Sequence, residues 1–253
     1  MTPVTATAAG RRRSARGRRL LPLLLTVAAF ALTIAAGLVV RATPALRTLD
    51  VALYHAVNGL ACGATDADPL YRAIWTGLNQ PALNYYVLYG ITFAYVLLRR
   101  REQWARLLVV TALIAGLGYL SNPIVWHWAW GPRPFTVTTA CIAHPEWEAT
   151  WSQYSSFPSG HARETAAELT ALVAFWPAAL LPAAAYMALL AFSRLYLGVH
   201  FPSDVLLGAA LGWAIARIAF LAWDVYARGG MVKATGPAAR MARWTPTHRF
   251  PPR

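Results

Sequence analysis

Three short polar clusters interrupt a chain that is otherwise strongly apolar. The first is Arg133-Pro134, the second Pro158-Ser159-Gly160-His161, and the third the run SRLYLGVHFPSD, which holds Ser193, Arg194, His200 and Asp204. Their residue types suit a phosphate. Two guanidiniums can grip its oxygens bidentately. A Ser hydroxyl and the backbone N–H groups of a Gly-containing turn at a helix N-terminus add neutral donors and a favourable dipole. Two histidines 39 positions apart, and so expected on different elements, supply one nucleophile and one acid. Asp204 lies four residues after His200 across a Pro-containing turn. It can accept from one imidazole nitrogen and leave the other free to attack.

The elements that must position these clusters are read from the apolar runs between them. The chain has 253 residues, of which 57% are hydrophobic and only 13% charged, with eleven Trp, which is the composition of an integral membrane protein. Its formal charge of +13 could suggest nucleic acid, but the placement of the charges argues against that class. Six arginines fall between Arg11 and Arg19, four (Arg99, Arg100, Arg101, Arg106) sit at a boundary between apolar segments, and six basic residues from Arg228 to Arg253 come after the last one. Flanking clusters of this kind obey the positive-inside rule and meet anionic headgroups.

Six spans are expected: Leu20 to Val40, Ala82 to Leu98, Trp104 to Val125, His161 to Leu181, Ala183 to Val199 and Ser203 to Trp223. Each approaches the ~20 residues that cross the hydrocarbon layer. The first has an apolar core longer than that of a signal peptide and reads as a retained helix. An even number of spans with basic ends puts both termini in the cytoplasm and turns loops 41–81, 131–160 and 200–202 outward. All three polar clusters then reach one outer face, where ionisable groups near a bilayer mark a working site. The organisation expected is a basic cytoplasmic tail over 1–19, a six-span domain over 20–223 and a second basic tail over 224–253.

Smaller features fill in this scheme. Asp68 before Pro69 is a plausible N-cap, and Leu70, Ile74, Trp75 and Leu78 recur at helical spacing, so a short interfacial helix is expected in the first outer loop. Gly208 and Gly212, four apart in the last span, permit close helix approach and favour packing within the bundle over a dimer face. Glu164 and Glu168 sit one turn apart in the fourth span, either paired with a neighbouring Arg or engaged in headgroup selection. Trp147, Trp151, Tyr154 and Phe157 read as an interfacial aromatic belt that could also wall a substrate entrance. His55, His127, His144 and His248 lack a partner pattern. Cys62 and Cys141, the only two cysteines, both fall outside, where an oxidising compartment lets a disulfide persist.

The clusters resemble the signature of the type 2 phosphatidic acid phosphatases, which share a fold with the vanadium-dependent haloperoxidases. That signature runs Lys, six residues, Arg-Pro; then Pro-Ser-Gly-His; then Ser-Arg, five residues, His, three residues, Asp. The second part is present as Pro158 to His161 and the third as Ser193-Arg194, His200 and Asp204, with both internal spacings intact. The first part departs from the pattern: Arg133-Pro134 is present, but Trp126 stands where the family has Lys, with His127 beside it as a substitute donor. The resemblance covers roughly residues 46 to 222.

Carried over position by position, the resemblance implies that His200 attacks phosphorus to form a phosphohistidine and that Asp204 orients it. His161 would protonate the leaving oxygen and then activate water. Arg133, Arg194, Ser159 and the Gly160 amide would hold the equatorial oxygens, and His127 and Glu164 are candidates for substrate selection. No metal and no cofactor is implied. The expectation is an all-α, six-helix membrane phosphatase of the cell membrane, with its site at the extracytoplasmic helix ends. Its substrate would be a lipid phosphate or diphosphate: an isoprenoid diphosphate carrier such as undecaprenyl diphosphate first, then phosphatidic acid or phosphatidylglycerol phosphate. A haloperoxidase-like enzyme holding vanadate and a catalytically impaired membrane scaffold are the alternatives.

Overall fold

The computed structural model describes residues 8–65, 67–142, 150 and 153–228. Among them every regular element is helical. The α-helices are α1 (Ala8–Ala42), α2 (Pro44–Asn58), α3 (Pro69–Ala73), α4 (Pro81–Arg99), α5 (Trp104–Ala129), α6 (Pro134–Val137), α7 (Gly160–Phe175), α8 (Leu180–Tyr196) and α9 (Pro202–Arg228). Four segments are long and apolar enough to cross a membrane: Leu24–Ala42, Arg101–Pro123, Pro177–Tyr196 and Pro202–Ala227. In α4 the apolar stretch is the shorter Tyr86–Arg99.

The fourth expected span is corrected. It does not run to Leu181 but stops at Phe175, because Pro177 has no N–H to donate and forces Trp176 out of the α region, to φ −131° and ψ 83°. A single 3₁₀ turn, Pro177–Ala179, then leads into α8. The shortened helix α7 carries Arg163, Glu164 and Glu168, and ten of its sixteen residues are buried. Neighbouring helices shelter it, and Arg163 and Glu168 are buried among them.

Helix α9 is the centre of the bundle and packs against α7, α1 and α5. Half of its apolar window is buried, against 11% for α1, so α9 is core and α1 presents most of its surface outward. Leu24, Leu25, Leu32 and Leu181 are all more than half exposed, an outward apolar surface that suits acyl chains. The approach of α7 to α9 depends on two glycines. A Cβ at Gly208 would lie 2.8 Å from the Ser159 carbonyl oxygen, and one at Gly212 would lie 1.9 Å from that of Arg163. Gly208 and Gly212 therefore pack inside the bundle, as their spacing suggests.

Helix α2, inside the expected outer loop, has no counterpart among the elements expected from sequence. Pro44 opens it, Tyr54 and Asn58 are its buried anchors, and both carboxylate oxygens of Asp50 hold Ser203 at the start of α9, at 2.9 and 2.6 Å. Asn58 joins three segments: its amide donates to the Cys141 and Tyr196 carbonyls, each at 3.0 Å, and its oxygen accepts from the Cys141 N–H at 2.7 Å. Cys62 and Cys141 form a disulfide with Cα atoms 4.9 Å apart.

The short helix after Asp68 forms as expected, its N-cap carboxylate accepting from the Leu70 and Tyr71 N–H groups. Its buried face carries Tyr71 and Ile74, however, while Leu70 is 55% exposed. Phe157 likewise leaves the expected aromatic belt: it is fully buried beneath the Arg41 guanidinium, 4.4 Å from its ring centre. Trp147, Trp151, His144, His248 and the basic residues beyond Arg228 lie outside the described residues. Arg11 to Arg19 continue the helix of α1.

Candidate active site

The phosphate-site candidates sit at helix ends or in the turns between helices. Arg133 is confined between Pro132 and Pro134, and the proline after it holds it extended at φ −73° and ψ 153°, as the N-cap of α6. Ser159 is the N-cap of α7, its hydroxyl accepting from the Ala162 N–H at 3.5 Å, and Gly160 opens that helix with nothing within 4 Å of where a Cβ would stand. Helix α8 ends at Tyr196, and Gly198 then takes φ +77°, a left-handed turn that glycine accommodates without strain. The turn presents His200, after which Pro202 starts α9 and Asp204 falls in its first turn.

Two guanidiniums and two imidazoles converge there. The His200 ring feels the charges of Arg133, Arg194 and His161, and the His161 ring feels the same two guanidiniums. Arg133 donates to the Val199 carbonyl at 2.9 Å, which ties it to the turn bearing His200. Arg194, 1% exposed, donates to Asn79 Oδ1 at 2.7 Å, to the Leu78 carbonyl at 3.5 Å and to Ser193 Oγ at 3.2 Å. His161 Nε2 lies 3.1 Å from the Asn79 carbonyl oxygen. Asn79 therefore touches both the imidazole on α7 and the guanidinium on α8.

Burial lowers the Arg133 guanidinium to about 10, partly offset by Asp204, so it remains a cation at neutral pH. Burial, followed by the Arg133 and Arg194 charges and His161, holds the His200 imidazole well below its ordinary 6.5. The ring is therefore neutral at pH 7 and keeps a lone pair on one nitrogen.

Asp204 is 3.9 Å from His200 Nδ1, beyond a direct hydrogen bond, and is itself densely held. Its Oδ1 accepts from Arg41 Nη2 at 3.1 Å, and its Oδ2 accepts from Ser156 Oγ at 2.5 Å and from the Phe201 N–H at 3.0 Å. Ser156 Oγ also lies 3.4 Å from His200 Nδ1. Since Arg41 already pairs with this carboxylate, the charge facing the histidines is positive, as an oxyanion site requires. Among the described residues, no three of His, Cys, Asp and Glu come together as a metal site would need.

The structure thus brings His161, His200, Arg133, Arg194, Ser159, Gly160 and Asp204 to one end of the bundle. Glu164 turns aside and pairs with Arg163 at 2.9 Å, which also donates to Asn122 and Ser121. Glu164, Arg163 and Glu168 line a cavity of about 620 Å³ between α4, α5 and α7, bounded at one side by Gln80, the neighbour of Asn79. His127 is exposed on the last turn of α5. Four contributors were not singled out from sequence: Arg41, Asn79, Ser156 and Arg163. For Arg41 a signal existed, a cation closing an apolar span at the end opposite the basic cluster. Asn79 and Ser156 are polar loop residues with no pattern of their own.

The sequence pattern of the PAP2 superfamily matches residues 103–227. No curated protein sequence matches the chain. Among solved structures, the chain is similar to a transmembrane PAP2-type phosphatidylglycerolphosphate phosphatase from Bacillus subtilis. The identity is 22% and the TM-score 0.51, covering 77% of this chain and 93% of that one.

Proposed function

Because residues 103–227 match the pattern of the PAP2 superfamily, we propose that the chain is a membrane phosphatase that removes phosphate from a lipid phosphate or diphosphate through a phosphohistidine intermediate. The observation that carries this reading is the meeting of Arg133 and Arg194 with two imidazoles, His161 and His200, from separate elements.

In the reaction, Arg133, Arg194, the Ser159 hydroxyl and the Gly160 amide hold the equatorial phosphoryl oxygens. The His200 nitrogen that carries the lone pair attacks phosphorus, and the bond to the leaving oxygen breaks. For the leaving oxygen to depart as a neutral hydroxyl, it takes a proton from the His161 imidazolium, which the bound phosphate dianion stabilises. Neutral His161 then accepts a proton from water as that water attacks the phosphohistidine, which restores both histidines and releases inorganic phosphate. The site lies at helix ends beside a cavity lined by α4, α5 and α7 with both apolar and charged side chains, which suits an amphiphilic substrate. An isoprenoid diphosphate carrier such as undecaprenyl diphosphate is the first substrate proposed, followed by phosphatidic acid and phosphatidylglycerol phosphate.

The test is phosphate release by the purified protein in detergent from a panel of these lipids, with His200→Ala alongside. The variant is expected to lose turnover and any acid-labile phosphoenzyme, since general acid–base help alone contributes ~10² to 10⁴ and a missing nucleophile should cost at least that. Turnover by His200→Ala above ~1% of wild type would refute the nucleophile.

A further inference from the structure

The geometry points to Ser156 as the positioning residue that transmits Asp204 to His200, with Arg41, on a helix outside the matched family region, fixing the far side of the same carboxylate. This rests on His200 being the nucleophile. The direct Asp204–His200 separation of 3.9 Å leaves no hydrogen bond between them, whereas the Ser156 hydroxyl lies within reach of both, at 2.5 Å from Oδ2 and 3.4 Å from Nδ1.

The direction of each bond is set by what the groups can do. An ionised carboxylate only accepts, and every other contact to Asp204 is from a donor: Arg41 to Oδ1, the Phe201 N–H to Oδ2. The Ser156 proton is therefore committed to Asp204, and the same oxygen can only accept from the ring. Nδ1 must then carry the hydrogen. The lone pair is left on Nε2. When Nε2 bonds to phosphorus the ring becomes a phosphoimidazolium whose Nδ1 proton stays in place. Its positive charge is met through one hydroxyl by the carboxylate, so no proton crosses to Asp204.

Both ends of this chain are held. The Ser156 N–H donates to the Gly131 carbonyl at 2.8 Å, and the Ser155 hydroxyl, donating to the Phe157 carbonyl at 2.7 Å, accepts from the Gly131 N–H at 3.1 Å. These bonds fix the stretch of chain just before the Pro158 turn. Arg41 donates to the Ala129 carbonyl and covers the Phe157 ring. It passes so close to Gly131 that a Cβ there would meet its guanidinium carbon at 2.5 Å. Arg41 is thus seated between α1, the end of α5 and α9, where its charge balances the Asp204 carboxylate and its bonds keep Oδ2 turned to Ser156.

The experiment compares Ser156→Ala, Ser156→Thr, Arg41→Gln and the Ser156→Ala/Arg41→Gln double variant with wild type. Each is assayed for steady-state turnover and, by rapid quench, for the rate of phosphoenzyme formation, with His200→Ala as the reference. Ser156→Ala is expected to slow phosphoenzyme formation and kcat by about 10- to 100-fold, the size of one charge-assisted hydrogen bond, with KM unchanged. Ser156→Thr, which restores the hydroxyl, is expected to recover most of the rate. The double variant is expected to be little slower than the slower single one, because both act through Asp204. Full-rate phosphorylation in Ser156→Ala overturns the proposal, as does a Thr variant as slow as Ala. A double variant whose loss is the product of the singles also overturns it. Turnover by His200→Ala refutes the nucleophile itself, whereas an inert His200→Ala beside a full-rate Ser156→Ala refutes only the link through serine.

Discussion

Gly212→Ala tests whether the crossing of α7 and α9 sets the positions of the reacting groups. The added methyl would stand 1.9 Å from the Arg163 carbonyl oxygen, 2.8 Å from its carbon and 3.0 Å from the Ala167 nitrogen, where ordinary contact begins at 3.4 Å. Backbone cannot swing aside as a side chain can, so α7 must retreat by the difference of 3.4 and 1.9 Å, 1.5 Å, at a residue two positions from His161. A displacement of ~1 Å at a reacting group costs on the order of 10²-fold, or about 2.7 kcal/mol of transition-state stabilisation. Overpacking adds a loss of stability of about 1 to 3 kcal/mol. The expected result is a drop in kcat of about 100-fold with a lowered thermal midpoint, read by phosphate release and by thermal unfolding in detergent. Gly208→Ala, with its nearest clash at 2.8 Å, should be milder, and Gly59→Ala, with nothing within 4 Å, should change neither quantity. Wild-type kcat and midpoint in Gly212→Ala would refute the argument, and so would an inverted order of the two variants.

Three further outcomes can be measured. Because His200 is held well below 6.5, it stays neutral as pH falls through that value, so the rate of phosphoenzyme formation in single turnover should not fall as pH is lowered through 6.5; an acid limb centred at 6.5 would contradict the burial. The unfolded chain binds that proton when the folded one does not, so stability should decline as pH drops below 6.5, measurable as a falling thermal midpoint. Non-reducing mass spectrometry should recover a linked Cys62–Cys141 peptide, and Cys141→Ser should lower the thermal midpoint, since closing a loop with a sequence separation of 79 contributes up to about 4 kcal/mol by chain entropy.

What could be read from sequence was what local spacing encodes. The phosphate-binding clusters were legible because Pro134, Gly160 and Pro202 fix backbone shape within a few residues of Arg133, His161 and Asp204, and the apolar helices because their periodicity is continuous. The stop at Trp176 was also written in Pro177, although the apolar residues beyond it hid the break. Helix α2 was harder: Leu46, Leu49 and Leu53 recur at helical spacing but are exposed, so the apolar stripe does not mark the buried side, which is made by Tyr54 and Asn58. The supports of the site were illegible for a different reason. Arg41 and Asp204 are 163 residues apart, Arg194 and Asn79 115, and Ser156 and Asp204 48. Contacts at such separations are set by how the helices pack, which no window along the chain contains.

Asn79 has a consequence for how a dianion enters. A buried guanidinium without an acceptor costs several kcal/mol, yet one bound tightly to a carboxylate would have to be pulled away from a full opposing charge. The amide oxygen on Arg194, at 2.7 Å, stands between these extremes. It satisfies the cation as a neutral dipole, so in the proposed reaction a phosphoryl group reaches Arg194 without breaking a full ion pair. The same residue's main-chain carbonyl rests against His161 at 3.1 Å, so one asparagine spans both the proposed acid and the proposed phosphate-binding guanidinium. Substrate arriving at Arg194 would then exchange one neutral acceptor for a charged one, beside the imidazole that the same residue holds.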